Sequence, residues 1–259
     1  MPRFSANLSM LYPDLPFQDR FGAAAADGFR AVEYVGAYDH DPTLLRALLD
    51  RHGLVQALFN LPAGDWAAGE RGIACLPDRV EEFRDSIGEA ITYARATNCG
   101  QVNCLAGLAP GNHARLELEQ VLVENLRYAA PRLEAAGIKL LLEPINSRDM
   151  PGFLINTSDD FERLAISVGH RNLFLQYDFY HMQVMQGDLL RTFERLMPRI
   201  AHVQVADNPG RHEPGTGEIN YSRIFETLDA LGYTGWVGAE YRPLGNTSAG
   251  LAWFEPWKR

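Results

Sequence analysis

Cysteine is scarce in this sequence. Only Cys75, Cys99 and Cys104 occur in 259 residues. The number is odd and no two have CxxC spacing, which argues against a disulfide framework and predicts reduced, packed thiols. Basic charge is also short: 24 Lys and Arg against 33 Asp and Glu leave a net charge of −9. That is the wrong sign for a phosphate-backbone partner, so no nucleic acid is expected. A local arginine can still hold a small anion. No run of 18 apolar residues exists, so no membrane span is expected. The opening MPRFSANLSMLYPDLPF has a basic residue, but Asp14 interrupts it and no cleavage site follows. It does not read as a signal peptide, and a cytoplasmic location is expected. Neither GxGxxG nor GxxxxGK[ST] follows the first strand, which argues against a nucleotide-binding sheet. No low-complexity tract or charge block offers a linker, so residues 1–259 read as one domain.

What is present is an alternation of short apolar runs and longer helical patterns. Eight strands are predicted near Phe4–Leu8, Ala31–Val35, Val55–Phe59, Gln101–Leu105, Lys139–Pro144, Leu173–Asp178, Ile200–Ala206 and Trp236–Tyr241. Several are apolar throughout, as strands covered on both faces are. Residues 78–97 and 116–137 carry apolar side chains at spacings of three and four, with Gly137 as a stop. Pro131 should kink or break the second of these helices. TSDDFERLAISVG begins with Thr157 or Ser158 as an N-cap, and YSRIFETLDALG ends at Gly232. Strands alternating with helices imply βαβ units, and eight of them in about 250 residues fit an α/β fold of the (β/α)8 TIM barrel type.

Chemistry in such barrels sits at the C-terminal ends of the strands. Strand 5, within LLLEPIN, ends in Glu143. Strand 6 ends in Asp178, strand 7 carries Gln204, and strand 8 carries Glu240. A carboxylate at the end of an apolar strand is costly unless it is paired or coordinates a metal. One such acid is more often a cap or an ion-pair partner. Oxygen donors on four successive strands favour a shared divalent cation, and an all-oxygen set favours Mg²⁺ or Mn²⁺ over Zn²⁺. His181 has two readings, a donor to a substrate oxygen or a support for Asp178. Arg211, in the Gly/Pro-rich loop DNPGRHEPGTGEINY, suits a substrate carboxylate through its planar fork; the alternative is a solvated surface arginine. His202 shares a face with Gln204, and packing is its safer reading. Glu33 and Asn7 read as structural. Trp253 and Trp257 read as a terminal cover over the barrel.

At these residues the sequence resembles the hydroxypyruvate isomerase family, within the xylose isomerase-like barrels. The resemblance runs from MPRFSANLSM through FNLPAGDWAAGERG, LLLEPIN, QYDFYH, AHVQVAD and RHEPGTGEINY to GWVGAEY, nearly the whole chain. It implies a metal-dependent aldose–ketose type isomerase of a small 2-oxo acid, converting hydroxypyruvate to tartronate semialdehyde. It implies that Glu143 and Glu240 bind metal and exchange protons with substrate. Asp178 and Gln204 would complete the metal set, and His181 and Arg211 would hold the substrate. Many barrels of this superfamily have histidine where Gln204 stands. Arg211 lies one residue further from the strand 7 ligand than in some epimerases, and the following P-G-T-G aligns it. A 2-oxo-tetronate isomerase or a keto-sugar 3-epimerase would use the same site. An endonuclease IV-like DNA repair enzyme needs a multi-metal cluster and a basic groove. Here strands 3 and 4 end in Phe59-Asn60 and Cys104-Leu105-Ala106, without histidine. A non-catalytic sugar-acid-binding barrel is opposed by the retained trio Glu143, Asp178 and Glu240. Quaternary state is not encoded legibly, and a homo-oligomer remains open.

Overall fold

The computed structural model describes residues 1–36 and 38–258. Eight strands form: β1 (Arg3–Asn7), β2 (Ala31–Tyr34), β3 (Val55–Asn60), β4 (Gln101–Cys104), β5 (Lys139–Leu142), β6 (Leu173–Asp178), β7 (Ile200–Val205) and β8 (Trp236–Ala239). Each pairs in parallel with the next, and β8 pairs with β1 to close the barrel. The helices are α1 (Phe17–Ala26), α2 (Pro42–His52), α3 (Val80–Thr97), α4 (Arg115–Ala135), α5 (Ser158–Val168), α6 (Phe179–Met185), α7 (Leu189–Leu196) and α8 (Tyr221–Ala230). The fold is the expected (β/α)8 barrel.

Two apolar clusters hold it together. The larger lies between strands and helices and buries Phe21, Leu49, Phe83, Leu126, Phe161 and Phe225. The smaller contains only Leu58, Leu141 and Ala201, with Phe174 against it. Leu141 shares its face with Glu143 by strand alternation, which places this cluster inside the barrel. Elsewhere the interior positions are polar. Ser5, Asn7, Glu33, Gln101, Asn103, Gln176, His202 and Gln204 are all buried.

Local signals behave as their chemistry requires, with one exception. Thr157 caps α5 in a reciprocal box with Asp160, and Gly169 ends that helix in the left-handed region at φ 67°. Pro131 does not break α4, which runs through it. The loss of one backbone hydrogen bond there is outweighed by the buried face formed by Leu122, Leu126, Ala129, Ala130 and Leu133. The three cysteines are free and buried. The tail covers the barrel flank: Trp253 meets Phe4 and Phe225, Trp257 meets Phe225, and Phe254 stacks on Phe29 at 4.4 Å. Among the described residues no helix is long and apolar enough to cross a membrane.

Candidate metal centre and active site

The strand ladders set the heights of the acidic residues. Asp178, the last residue of β6, pairs with Gln204 of β7, and Gln204 pairs with Gly238 of β8. Glu143 and Glu240 each stand one residue beyond the last residue of their strand. There the ladder has ended and the backbone can turn a side chain across the mouth. Ligand atoms of Glu143, Asp178, His181 and Glu240 all lie within 4.8 Å of one another, and all four residues are buried.

Three carboxyls so close cannot all ionise without compensation. Burial, then the neighbouring Glu240 and Asp178, pushes the Glu143 carboxyl well above its ordinary range. Burial raises Asp178 to about 6 against the opposing pull of Arg211. Glu240 rises to about 7, with burial the largest cause, Arg211 opposing, and Asp178 and Glu33 adding to it. Asp178 Oδ1 accepts from the Tyr180 N–H at 2.8 Å and so caps α6, but its Oδ2 is buried without a partner. A cavity of about 10 Å³ lies among Asn7, Glu33, Glu143, Gln176, Gln204 and Glu240. Three converging acidic side chains, one with an orphaned carboxylate oxygen, fit one divalent ion.

His181 lies in the first turn of α6. Asn146 Oδ1 accepts from the Asp149 N–H at 2.7 Å, which turns its amide nitrogen toward His181 Nδ1 at 2.6 Å. Nδ1 must therefore accept. Burial, assisted by Arg211, holds the imidazole well below its ordinary pKa, so it is neutral and its one proton sits on Nε2. That nitrogen lies 3.5 Å from Asp178 Oδ2 and 3.8 Å from Glu143 Oε1. His181 presents an N–H to the cluster, not a lone pair.

Arg211 is buried, which excludes the solvated-surface reading. Asp207 folds its loop, with Oδ2 accepting from the N–H groups of Gly215 at 2.8 Å and Gly217 at 2.9 Å, and Oδ1 from Ile219 at 3.0 Å. A Cβ at Gly217 would stand 2.0 Å from the Asn208 carbonyl oxygen, so this closure needs glycine. Arg211 Nη2 donates to Glu240 Oε2 at 2.7 Å, and Nη1 lies 3.6 Å from Asp149 Oδ2. Burial opposes its charge, but Glu240, Asp178, Asp149 and Glu143 outweigh it. Its Nε is unpartnered.

Gln204 Nε2 donates to Glu33 Oε1 at 2.8 Å, and its Oε1 accepts from Gln176 at 2.6 Å. Asn7 Nδ2 reaches Glu240 Oε1 at 2.9 Å, and Asn103 Nδ2 reaches Glu143 Oε2 at 3.1 Å. His202 is not merely packed: its Nε2 meets Glu33 Oε2 at 2.8 Å. Sequence reasoning assigned no role to Asn103, Gln176, Asn146 or Asp149. The available signal for the first two was a polar residue at an inward position of an otherwise apolar strand.

The sequence profile of the xylose isomerase-like TIM barrel family matches residues 21–257. The chain is 50% identical over 257 residues to a 2-oxo-tetronate isomerase of Cupriavidus necator, covering 99% of both. It is 50% identical over 258 residues to a hydroxypyruvate isomerase of Escherichia coli, covering 100% of both. A crystal structure described as an AP endonuclease, family 2, from Brucella melitensis superposes with a TM-score of 0.97 at 45% identity, with both chains fully covered. A barrel with its acidic side chains gathered at one mouth, matched end to end by such relatives, belongs to the xylose isomerase-like TIM barrel family, in its hydroxypyruvate isomerase branch.

Proposed function

We propose that this chain interconverts hydroxypyruvate and tartronate semialdehyde at a divalent cation, Mg²⁺ or Mn²⁺, held by Glu143, Asp178, Gln204 and Glu240. It is an isomerase, as its curated relatives are. The observation that carries the reading is the buried convergence of three carboxyls around an orphaned Asp178 oxygen. Gln204 rather than His181 is the fourth ligand, because Asn146 leaves His181 with a proton where a ligand needs a lone pair.

A bound cation would supply positive charge beside the substrate's adjacent carbonyl and hydroxyl, acidifying the C–H between them. Arg211 clamps the substrate carboxylate and fixes its orientation. The His181 Nε2–H donates to a substrate oxygen. Of Glu143 and Glu240, one takes a proton from C3 and a proton returns to C2. A hydroxyl proton moves between the two oxygens, so the atoms balance without an added reactant. The two glutamates follow β5 and β8, three strands apart around the ring, from where they would flank the bound substrate carbons.

The second reading is a 2-oxo-tetronate isomerase. A cleft of about 570 Å³, lined by Met10, Val35, Tyr38, Leu61 and Trp66, adjoins the carboxyl cavity along Val35 and has room for a fourth carbon. A DNA repair role needs a basic groove, and the net charge of −9 opposes it. The test is an isomerase assay with both substrates, with and without a chelator. Turnover abolished by chelator and restored by Mg²⁺ or Mn²⁺ is expected. Absence of turnover on both substrates with metal supplied would overturn the proposal and leave a keto-sugar 3-epimerase or a sugar-acid-binding barrel.

A further inference from the structure

Barrels of this class fill their interiors with layers of branched apolar side chains. Here a carboxylate is buried in the interior, among residues of β1, β7 and β8. Glu33 is 1% exposed and accepts four hydrogen bonds: Ser5 Oγ at 2.6 Å, His202 Nε2 at 2.8 Å, Gln204 Nε2 at 2.8 Å and Asn7 Nδ2 at 3.3 Å. Gly238 makes room for it, since a Cβ there would stand 2.3 and 2.4 Å from the two carboxylate oxygens.

The direction of every bond in this line is fixed. The Ala57 carbonyl can only accept, and it takes a hydrogen bond from Gln101 Nε2 at 3.0 Å. The same nitrogen faces His202 Nδ1 at 3.2 Å, so Nδ1 accepts and the His202 Nε2–H donates to Glu33. The carboxylate too can only accept, so Gln204 must show it the amide nitrogen and turn its carbonyl away, where Gln176 Nε2 donates to it at 2.6 Å and holds the same orientation from the other end. Nothing intrinsic to a primary amide chooses which end faces a cation. Asn7 Nδ2 extends the arrangement from Glu33 to Glu240 Oε1.

We infer that Glu33 is a positioning residue of the metal site: it orients the Gln204 carbonyl toward the cation and, through Asn7, steadies Glu240. The inference rests on Gln204 being a ligand. It gives Glu33 no contact with substrate and no proton to move.

The test is Mn²⁺ titration calorimetry on the metal-stripped full chain, comparing wild type, E33Q, Q204A and E33Q/Q204A. E33Q should bind Mn²⁺ about 10–100-fold more weakly, the range for lost support of a metal ligand. Q204A should also weaken binding, and the double variant should bind no worse than the weaker single, because both changes remove one interaction. Wild-type affinity in E33Q, or losses that multiply, would overturn the inference while leaving the metal site standing. Wild-type affinity in Q204A, or no Mn²⁺ bound by wild type, would overturn the ligand reading and this inference with it. Should E33Q fail to fold, the wild-type chain suffices. Its Gln204 side-chain amide protons should resist solvent exchange both without metal and with Mg²⁺. Rapid exchange in either state would refute the role of Glu33.

Discussion

Glu143 and Glu240 share a chemistry but differ in their support. Glu240 accepts from the charged Arg211 as well as from Asn7, whereas Glu143 is held by the neutral amides of Asn103 and Gln176. In the proposed reaction both exchange protons, and in the metal-free protein burial lifts both out of the ordinary carboxyl range. Glu143→Gln and Glu240→Gln should each lower kcat by about a hundredfold or more, with an unchanged circular dichroism spectrum. Activity close to wild type in either variant would remove that glutamate from proton transfer. At this scale the sequence is legible where a charge interrupts an apolar run, as at Glu143, Asp178 and Glu240. It is illegible where a role depends on a partner across the barrel. Glu33 and His202 meet only because closure of the barrel through β8 and β1 brings β2 within reach of β7 across the interior, and Asn146 reaches His181 only through the loop after β5.

Among the elements, the eight strands were readable from the buried apolar residues that face the helices, some of them in unbroken apolar runs, although many inward positions are polar. Their C-terminal bounds were less so. Lys139–Pro144 and Trp236–Tyr241 shorten to Lys139–Leu142 and Trp236–Ala239, leaving the two glutamates outside the ladder. Helix α6 carries His181 and begins immediately after Asp178. Its seven residues are too short for periodicity to show, and it is started by the Asp178 cap. Pro131 misled in the other direction, because a single breaker does not prevail over a long buried face. It is solvent-exposed, lacks the N–H that would bond the Arg127 carbonyl, and is tolerated rather than required. Pro131→Ala should therefore stabilise the protein by about 1–3 kcal/mol, seen as a higher denaturant midpoint. An unchanged or lower midpoint would show that the proline serves the fold.

For the whole molecule, the gathered carboxyls couple stability, protons and metal. Asp178 and Glu240 hold protons up to about 6 and about 7 in the metal-free protein, above their ordinary values of 3.8 and 4.5. The folded state thus binds more protons than the unfolded one between those limits, and metal-free stability falls as pH rises through that window. A bound cation requires these groups ionised, so its binding releases protons and strengthens with pH. The rise in Tm on saturating with Mg²⁺ should be larger at pH 8 than at pH 5.5. A gain that is equal or larger at pH 5.5 would contradict this coupling.

The most direct test of the shared cation is anomalous diffraction from crystals grown with Mn²⁺. The account predicts one strong peak per chain at bonding distance from oxygens of Glu143, Asp178, Gln204 and Glu240, with His181 Nε2 outside the coordination sphere. A peak bonded to His181 in place of Gln204, or none among these residues, would contradict it.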